Sequence, residues 1–480
     1  MHRLLALFVP ALFVLGTVAG PTPPPEAPAS LDGRIDALID QSQVDDAFWG
    51  IAVYDLDAEQ MIYSRNGRQS FLPASNQKLL TSATALDVHG STHRYETTLS
   101  YNGSTKGPVM QGDLILDGSG DPTFGSSEVR GADPLKAWSE RLAEMGVKRI
   151  SGRLIGDDNA FDDDPYPDGW SVNYITKQKG RHMGNSAGGL AYRDNVVPLR
   201  VQATRPGARP AVEVEPNNVV SLRNQAVTSA RWRGNTLQVD RTFSTNELVL
   251  TGSVARSYRG TLAVPVSDPT QFVLRSFRHH LQQAGIETDL TLVDVDDLDE
   301  MPDRGSPLFV EYSRPLSEIV AVVNKESNNF YAEQVFRSYG WGGSAEGAAR
   351  RTESFLREAD VDPNQVLIHD GSGLSRKDLV SPQAMVQLLA YMDEHEARDA
   401  FLASLPEGGE RHTTLRHRLS GLDVQAKTGS LEFVRALSGY ADRPNGNRVA
   451  FAVFANNYTG PSYQISHTID DIVRAVNSAR

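Results

Sequence analysis

The chain has 480 residues, of which 40% are hydrophobic and 22% charged, as in an ordinary soluble globular protein of two to four domains. Its 60 acidic and 47 basic side chains give a net charge of −13, which argues against a nucleic-acid backbone as partner. The absence of cysteine excludes disulfides, thiol nucleophiles, zinc–thiolate sites and iron–sulfur clusters. Only nine basic residues are lysines, the type that can lose its proton and act as a base, so a lysine within a motif is informative.

Residues 1–20 have the pattern of a secretory signal peptide. The apolar run 4–18 is interrupted by Pro10 and is shorter than the roughly 20 residues that cross a bilayer as a helix. A proline-rich spacer follows at 21–28. The alternative is that the segment stays uncleaved as a membrane anchor. We therefore expect an extracytoplasmic protein, periplasmic or attached to the cell envelope, whose membrane contact is at most peripheral.

The elements before residue 95 are predicted from their spacing. Apolar residues at helical intervals predict a helix over 31–43, and a strand follows at 49–55. The segment 61–63 is expected to be the hairpin partner of that strand. Residues 75–88 form the next predicted helix, with an apolar face.

A long β-rich region is predicted from residue 95 to residue 304, after which helices return. Its strand-like segments are 113–116, 199–203, 212–214 and 248–250. The later helices are predicted at 315–324, 328–338, 345–359 and 381–395, followed by strands at 434–441 and 448–456 and a helix from Ser466. Strands at both ends of the chain can pair in one antiparallel sheet with helices on its faces, which is an α/β (α+β) fold. We expect residues 21–94 and 305–480 to form one discontinuous domain, and 95–304 to be an insert of two subdomains.

The tetrapeptide from Ser75 to Lys78 is the first candidate for chemistry. On a helix, residues three apart share a face, so the hydroxyl and the amine can meet. A neutral lysine there can take the serine proton and activate a nucleophile. Only one of the nine lysines has a serine three residues before it. The alternative interpretation is an N-capped helix with a solvated lysine.

The second candidate is Lys427-Thr428-Gly429, followed by Ser430. The sequence around it predicts the edge of a strand. The lysine and threonine offer a cation and a hydroxyl to a carboxylate, and the glycine would let a substrate approach the backbone. A plain turn with a solvated lysine is the alternative. Lys-Thr-Gly occurs once in the chain.

The third candidate is the triplet from Ser327 to Asn329, between two predicted helices. Other Ser-x-Asn triplets in the chain begin at Ser64, Ser100, Ser171 and Ser244. Helix capping is the default interpretation of any of them. The triplet at Ser327 is favoured because it follows the insert, lies in a helical region and precedes Lys427.

Ser-x-x-Lys, Ser-x-Asn and Lys-Thr-Gly in this order match the signature of β-lactamases and penicillin-binding proteins. More narrowly, the chain resembles the class C low-molecular-mass penicillin-binding proteins, which are D-alanyl-D-alanine carboxypeptidases and endopeptidases. Segments 112–123 and 370–376 and the long insert between the first two motifs carry this resemblance. The family's alanine-rich stretch is replaced here by 185–190, ahead of Asn195.

The resemblance implies a serine β-lactamase or transpeptidase-like domain with a β-rich insert. It also implies a mechanism that needs no metal or organic cofactor, with peptidoglycan stem peptides as substrates and β-lactams as inhibitors. The implied catalytic residues are Ser75 as nucleophile, Lys78 as base, Ser327 as proton relay, Asn329 as positioning group, and Lys427, which would hold the terminal carboxylate. The implied substrate-binding residues are Thr428, Gly429, Ser430, Asp157, Phe161 and Arg376; the last three would line a pocket for the peptide side chain.

Two other functions remain open at this point. A β-lactamase would turn over β-lactams rapidly, although no class A deacylating glutamate region is identifiable. A catalytically idle protein would bind peptidoglycan without releasing D-alanine, although the full set of motif residues argues against decay.

Other polar clusters are not expected to bind metal ions. The histidines lack carboxylates at ligand spacing, namely His279, His280, His412 and His417. Residues 157–158 and 162–164 lack the distal glutamate of a calcium-binding EF-hand loop, so a solvated acidic loop is expected there.

Overall fold

The computed structural model describes residues 30–479 except positions 45, 129–130, 178–182, 217–218 and 233. The predicted signal peptide, residues 1–20, lies outside the described residues. Within the described part, no helix combines the length and the apolar character needed to cross a membrane.

The helices of the described chain are α1 Leu31–Asp40, α2 Gln77–His89, α3 Pro134–Glu144, α4 Val172–Thr176, α5 Pro269–Gln283, α6 Leu316–Ala321, α7 Asn329–Ser338, α8 Ala345–Glu358, α9 Pro382–Glu394, α10 Arg398–Ser404 and α11 Ser462–Asn477. The strands are β1 Phe48–Asp55, β2 Gln60–Arg65, β3 Glu96–Lys106, β4 Val109–Gly118, β5 Arg149–Asp157, β6 Val196–Gln202, β7 Ala211–Val214, β8 Ser221–Asn224, β9 Val227–Thr228, β10 Gln238–Arg241, β11 Glu247–Thr251, β12 Ser253–Val254, β13 Arg259–Pro265, β14 Glu287–Asp294, β15 Ser306–Tyr312, β16 Val366–Leu367, β17 Leu379–Val380, β18 Val424–Leu431, β19 Val434–Asp442 and β20 Arg448–Asn456.

Strands from both ends of the chain form one antiparallel sheet, in the order β18-β19-β20-β1-β2. Side chains of a strand alternate between the two faces, so neighbouring residues of β1 pack against different layers. Ala52 belongs to the core shared with α2 and α6 to α10, whereas Ile51 and Val53 pack with α1 and α11. The predicted sheet with helices on its faces is therefore confirmed.

Helix α2 is the central helix of the larger helical layer. All ten residues from Gln77 to Leu86 are buried, as expected for a helix surrounded by other helices. It begins two residues later than predicted, because residues 74–76 form a tighter 3-10 turn. It ends at His89, and the next residue, Gly90, has a φ of +77° that is accessible to glycine at little cost.

The middle of the chain contains a five-stranded mixed sheet in the order β14-β5-β4-β3-β15. Two smaller sheets, β13-β6-β7 and β10-β11-β8, are built from the strands between α4 and α5. The β-rich prediction holds, but α3 and α5 were not predicted. Helix α3 is the crossover that joins β4 to its parallel neighbour β5, a connection that requires such an element.

Strand β15 pairs with β3, so the five-stranded mixed sheet includes residues as far along the chain as Tyr312. The division of the chain into domains at residues 94 and 304 stays a prediction.

Candidate active site

Ser75 is half-buried and lies in the 3-10 turn immediately before the N-terminus of α2. The residue before it, Ala74, has a φ of +47°, which is unfavourable for a residue with a side chain. Such strained positions cluster at functional sites, where surrounding contacts hold them. The serine hydroxyl is thus presented at the N-terminus of a buried helix.

Lys78 is completely buried one turn further along. Its Nζ donates hydrogen bonds to Ser75 Oγ at 3.1 Å, to Asn329 Oδ1 at 2.7 Å and to the Ser372 carbonyl at 2.5 Å. The predicted meeting of hydroxyl and amine is therefore present, and the solvated-lysine alternative for this motif is wrong.

The surroundings of Lys78 shift its pKa towards neutrality. Burial disfavours the ammonium and lowers the pKa to about 8, against the opposing attraction of the carboxyl groups of Asp370, Glu333 and Asp378. A lysine of this kind has a usable neutral fraction near pH 7, which an exposed lysine lacks.

The Ser-x-Asn motif follows a distortion of the backbone. Residues 322–326 form a π-type turn, and Ser327 ends it in the left-handed conformation with a φ of +61°. Asn328 caps α7 by accepting a hydrogen bond from Tyr331 N at 3.1 Å. Asn329, the first helical residue, is then directed at Lys78. This triplet therefore contacts both lysines of the other motifs, Lys78 through Asn329 and Lys427 through Ser327.

The Lys-Thr-Gly motif lies on β18, the edge strand of the antiparallel sheet. Lys427 is completely buried, and its Nζ donates to Ser327 Oγ at 2.9 Å and to the Thr428 carbonyl at 3.0 Å. Burial and the nearby charge of Lys78 hold the pKa of Lys427 well below its usual value. Thr428 is half-buried and Ser430 is exposed. The strand-edge prediction is confirmed, and a plain turn is excluded.

Gly429 packs against the turn that precedes α2. A Cβ at this position would lie 2.6 Å from the Pro73 carbonyl oxygen and 3.0 Å from Asn76 Nδ2. The glycine therefore allows β18 to pack closely against the turn that carries Ser75. Asn76 completes this contact, since its buried Nδ2 donates to the Lys427 carbonyl at 2.9 Å.

We expect Asn76→Ala to weaken both the fold and the site. It removes the hydrogen bond between the Ser-x-x-Lys and Lys-Thr-Gly motifs, which should lower the free energy of unfolding by about 0.5–1.5 kcal/mol. Urea denaturation measures this change, and the acylation rate with a fluorescent penicillin should also fall. The matched control is Asn364→Ala at an exposed turn. Equal stabilities of the two variants would contradict the prediction.

Asp157, Phe161 and Arg376, the residues expected to line a side-chain pocket, differ in burial and in partners. Asp157 is 2% exposed and its carboxylate forms an ion pair with Arg304, so the solvated-loop interpretation is wrong for this residue. Phe161 is buried against Gly120. Arg376 is exposed and donates to the Glu432 carbonyl at 3.0 Å, next to the turn that joins β18 and β19. Among the described residues, no hydrogen bond or ion pair joins Arg376 to Asp157 or to the lysines.

Four contributors near Lys78 were not predicted. Ser372 and Asp370 lie in the segment 370–376. This segment carried part of the family resemblance, but neither residue was assigned a role. Glu333 lies one turn beyond Asn329 on α7, a spacing that could have pointed to it. Met183 accepts a hydrogen bond from Asn329 Nδ2 at its Sδ, 3.2 Å away. No sequence signal relates it to the motifs.

One group of carboxylates in the described chain is compact enough to hold a cation, and it contains no histidine. It comprises Asp158, Asp294 and Asp296, whose potential ligand oxygens lie within 4.8 Å of one another. Burial, and secondly the charge of Asp158, raises the pKa of Asp294 to about 7. None of the three belongs to the motifs around Ser75.

An antiparallel sheet between two helical layers, with a serine and a buried lysine at the start of the central helix, places the protein in the class of serine β-lactamases and penicillin-binding proteins. Within that class, the chain belongs to the D-Ala-D-Ala carboxypeptidase 3 (S13) family, whose family model matches residues 31–476. The resemblance seen in the sequence is confirmed.

Individual relatives agree with this assignment. A D-alanyl-D-alanine carboxypeptidase of Actinomadura sp. (strain R39) is 31% identical over 468 residues, which cover 89% of this chain and 81% of the relative. The crystal structure of penicillin binding protein 4 from Haemophilus influenzae has the same fold, with a TM-score of 0.79, 23% identity and coverage of 92% of this chain and 99% of that one. The same protein complexed with a β-lactam aligns with a TM-score of 0.74 over the same shares of the two chains, again at 23% identity.

Proposed function

We propose that the protein is a serine-type D-alanyl-D-alanine carboxypeptidase or endopeptidase, which cleaves the stem peptides of peptidoglycan through an acyl-enzyme on Ser75. The observation that carries this proposal is the buried Lys78 amine, 3.1 Å from an accessible serine hydroxyl. Family membership and the carboxypeptidase relative support the substrate class.

Acylation begins when Ser75 Oγ attacks the carbonyl carbon between two D-alanine residues. The serine proton passes to the neutral amine of Lys78, which becomes an ammonium ion. The backbone N–H groups of Ser75 and Ser430 hold the oxyanion, and each such donor contributes ~3 kcal/mol to the transition state. Asn329 positions the Lys78 amine through their hydrogen bond and also positions the substrate amide.

The leaving amine must receive a proton as the C–N bond breaks. Ser327 is suited to deliver it, because its hydroxyl is hydrogen-bonded to Lys427 Nζ at 2.9 Å. The proton given up by Ser327 is replaced through that contact. The proton that Lys78 took from Ser75 moves to the Ser327 and Lys427 pair, so that Lys78 is neutral again. Water then attacks the ester and gives its proton to Lys78, which passes it to Ser75 Oγ as the ester bond breaks, and the free enzyme returns.

Lys427 and Thr428 bind the terminal carboxylate of the peptide. Burial lowers the pKa of Lys427, and an arriving carboxylate favours its charged form. β-Lactams imitate the same D-alanyl end and acylate Ser75. The β-lactam complex of the Haemophilus influenzae protein supports this inference.

The acylation rate is expected to rise with pH. Only neutral Lys78 can accept the serine proton, and its pKa is about 8. The rate constant should therefore fall about tenfold for each pH unit below that value and level off above it. Stopped-flow measurements with a fluorescent penicillin between about pH 6 and pH 9 test this. A rate constant independent of pH over the range would contradict Lys78 as the base.

The products of a defined cross-linked muropeptide, analysed by mass spectrometry, test the proposed function. Free D-alanine indicates a carboxypeptidase and a cleaved cross-link indicates an endopeptidase. Ser75→Ala is the matched control and should yield neither product. If the parent protein binds the muropeptide without releasing either, it is the catalytically idle alternative, and rapid β-lactam turnover would point to a β-lactamase.

The substrate also bears on where the protein acts. Peptidoglycan stem peptides lie outside the cytoplasmic membrane, so we place the mature protein in the periplasm or at the cell envelope. Residues 4–18, typical of an exported chain, support this placement.

A further inference from the structure

The Lys78 amine has three oxygen neighbours, and their chemistry differs. Asn329 Oδ1 and the Ser372 carbonyl can only accept hydrogen bonds, whereas the Ser75 hydroxyl can also donate one. A neutral amine has two N–H bonds and one lone pair. When both N–H bonds go to the two obligate acceptors, the lone pair is left for the serine hydroxyl. The Ser372 carbonyl thus helps to set the direction in which Lys78 can act as a base.

Two buried carboxyl groups hold the peptide units around Ser372. Gly373 N donates to Asp370 Oδ1 at 2.6 Å, and Ser372 N donates to Glu333 Oε1 at 2.8 Å. In a trans peptide the C=O and the following N–H point in opposite directions. A Gly373 N–H held by Asp370 therefore turns the Ser372 carbonyl away from Asp370 and towards Lys78.

Glu333 joins this turn to the helix that carries the Ser-x-Asn motif. It is completely buried, and besides Ser372 N it accepts from Gly371 N, 3.1 Å from Oε1. Asn329 and Glu333 are four residues apart on α7 and share a face. One helix face therefore supplies one acceptor to Lys78 directly and fixes the backbone that supplies the other.

Burial of a charged carboxylate away from water is energetically costly unless hydrogen bonds or opposite charges compensate for the lost hydration. Burial and the neighbouring Asp370 raise the pKa of Glu333, so a proton on this group is favoured. Protonated glutamate and glutamine have nearly the same shape and both offer a carbonyl oxygen. This similarity allows the positioning of the backbone to be separated from an effect of charge.

We propose that Glu333 is a positioning residue for acylation: it holds the N–H groups of Gly371 and Ser372, and so fixes the turn from which the Ser372 carbonyl orients the Lys78 amine towards Ser75. The inference rests on the proposed role of Lys78 as base and extends it to two groups outside the three motifs. Among the described hydrogen bonds, those of Glu333 go to Gly371 N and Ser372 N and none goes to Ser75.

Single-turnover acylation by a fluorescent penicillin tests the proposal in the full-length protein. Glu333→Ala should lower the acylation rate constant by about 10²-fold, the effect of a misplacement of about 1 Å, with the non-covalent dissociation constant little changed. Glu333→Gln keeps an acceptor for the two N–H groups and should restore a rate constant close to that of the parent.

The pH profile gives a readout that a merely structural role would not move. The charged and titratable groups around Lys78 are Glu333 on α7, Asp370 and Asp378 beside the turn, and Lys427 on β18. If Glu333→Ala displaces the Ser372 carbonyl, the ammonium form of Lys78 loses a hydrogen-bond acceptor, and the pKa of Lys78 falls. The rising limb of the Glu333→Ala profile should therefore move to lower pH, and further than that of Glu333→Gln, which removes only the attraction of the Glu333 carboxyl group for the ammonium.

Gln334→Ala is the matched control, because Gln334 is the next residue of α7 and equally buried. Its side chain donates to the carbonyls of Gly120 and Gly188 instead of contacting the turn. We expect it to lower Tm without moving the pH limb. If Glu333→Ala does not fold, Glu333→Asp serves instead, because it keeps a carboxyl group whose shorter side chain withdraws from Ser372 N.

The outcomes distinguish this proposal from the proposed function. Peptide mapping of the parent protein first establishes whether penicillin attaches to Ser75, so a failure there concerns the function itself. Given labelling at Ser75, a folded Glu333→Ala or Glu333→Asp protein that acylates at the parent's rate would overturn the positioning role. A Glu333→Gln protein as slow as Glu333→Ala would overturn it too, because charge rather than position would then be decisive.

Discussion

Ser75→Ala is expected to abolish covalent labelling by penicillin and the release of D-alanine. Among the described hydrogen bonds of the Lys78 amine, the one to Ser75, at 3.1 Å, is the one that joins it to a hydroxyl group. Loss of a catalytic serine nucleophile removes about 10⁶-fold in rate. Gel fluorescence after incubation with labelled penicillin measures the adduct, and mass spectrometry of a D-alanyl-D-alanine peptide measures the product.

The control for this variant is Ser82→Ala. Ser82 is a completely buried serine of the same helix, and its hydroxyl accepts a hydrogen bond from Asn324 instead of Lys78. It should label like the parent protein. Undiminished labelling of Ser75→Ala would refute the nucleophile assignment, since the adduct would then form elsewhere.

Lys78→Met is expected to leave the serine in place but inactive. Methionine has a similar length and no titratable group, so the proton of Ser75 has no acceptor. The acylation rate constant should fall by about 10²–10⁴-fold, the contribution of a general base, while non-covalent binding of the β-lactam is retained. Stopped-flow kinetics separates the two quantities.

Lys377→Met provides the control for the loss of a lysine. Lys377 is exposed in an ion pair with Asp168 and has no contact with Ser75. Its acylation rate should match that of the parent protein. If Lys78→Met also acylates normally, another group must accept the serine proton.

Much of the fold follows from local patterns in the sequence. The strands β1, β19 and β20 and the helices α7 to α9 lie within a few residues of their predicted positions, because their apolar spacing and caps are strong. Helices α3 and α5 were missed although each begins with an aspartate cap and a proline, at Asp133 and Asp268. The β-rich surroundings outweighed these signals.

The candidate site could be predicted only as far as its motifs reach. Ser75, Lys78, Ser327, Asn329 and Lys427 converge as expected, because each motif has a recognisable spacing. Their supporting contacts could not be predicted, because the partners are distant in sequence. Gly429 shows the limit most clearly, since its close packing against Pro73 and Asn76 has no signal in the sequence.

The central claim is that Ser75 forms the acyl-enzyme. Peptide mapping by mass spectrometry after exposure of the intact protein to penicillin tests it most directly. We expect one penicilloyl adduct, on the peptide that contains Ser75. An adduct on any other residue, or none on a folded protein, would contradict the account.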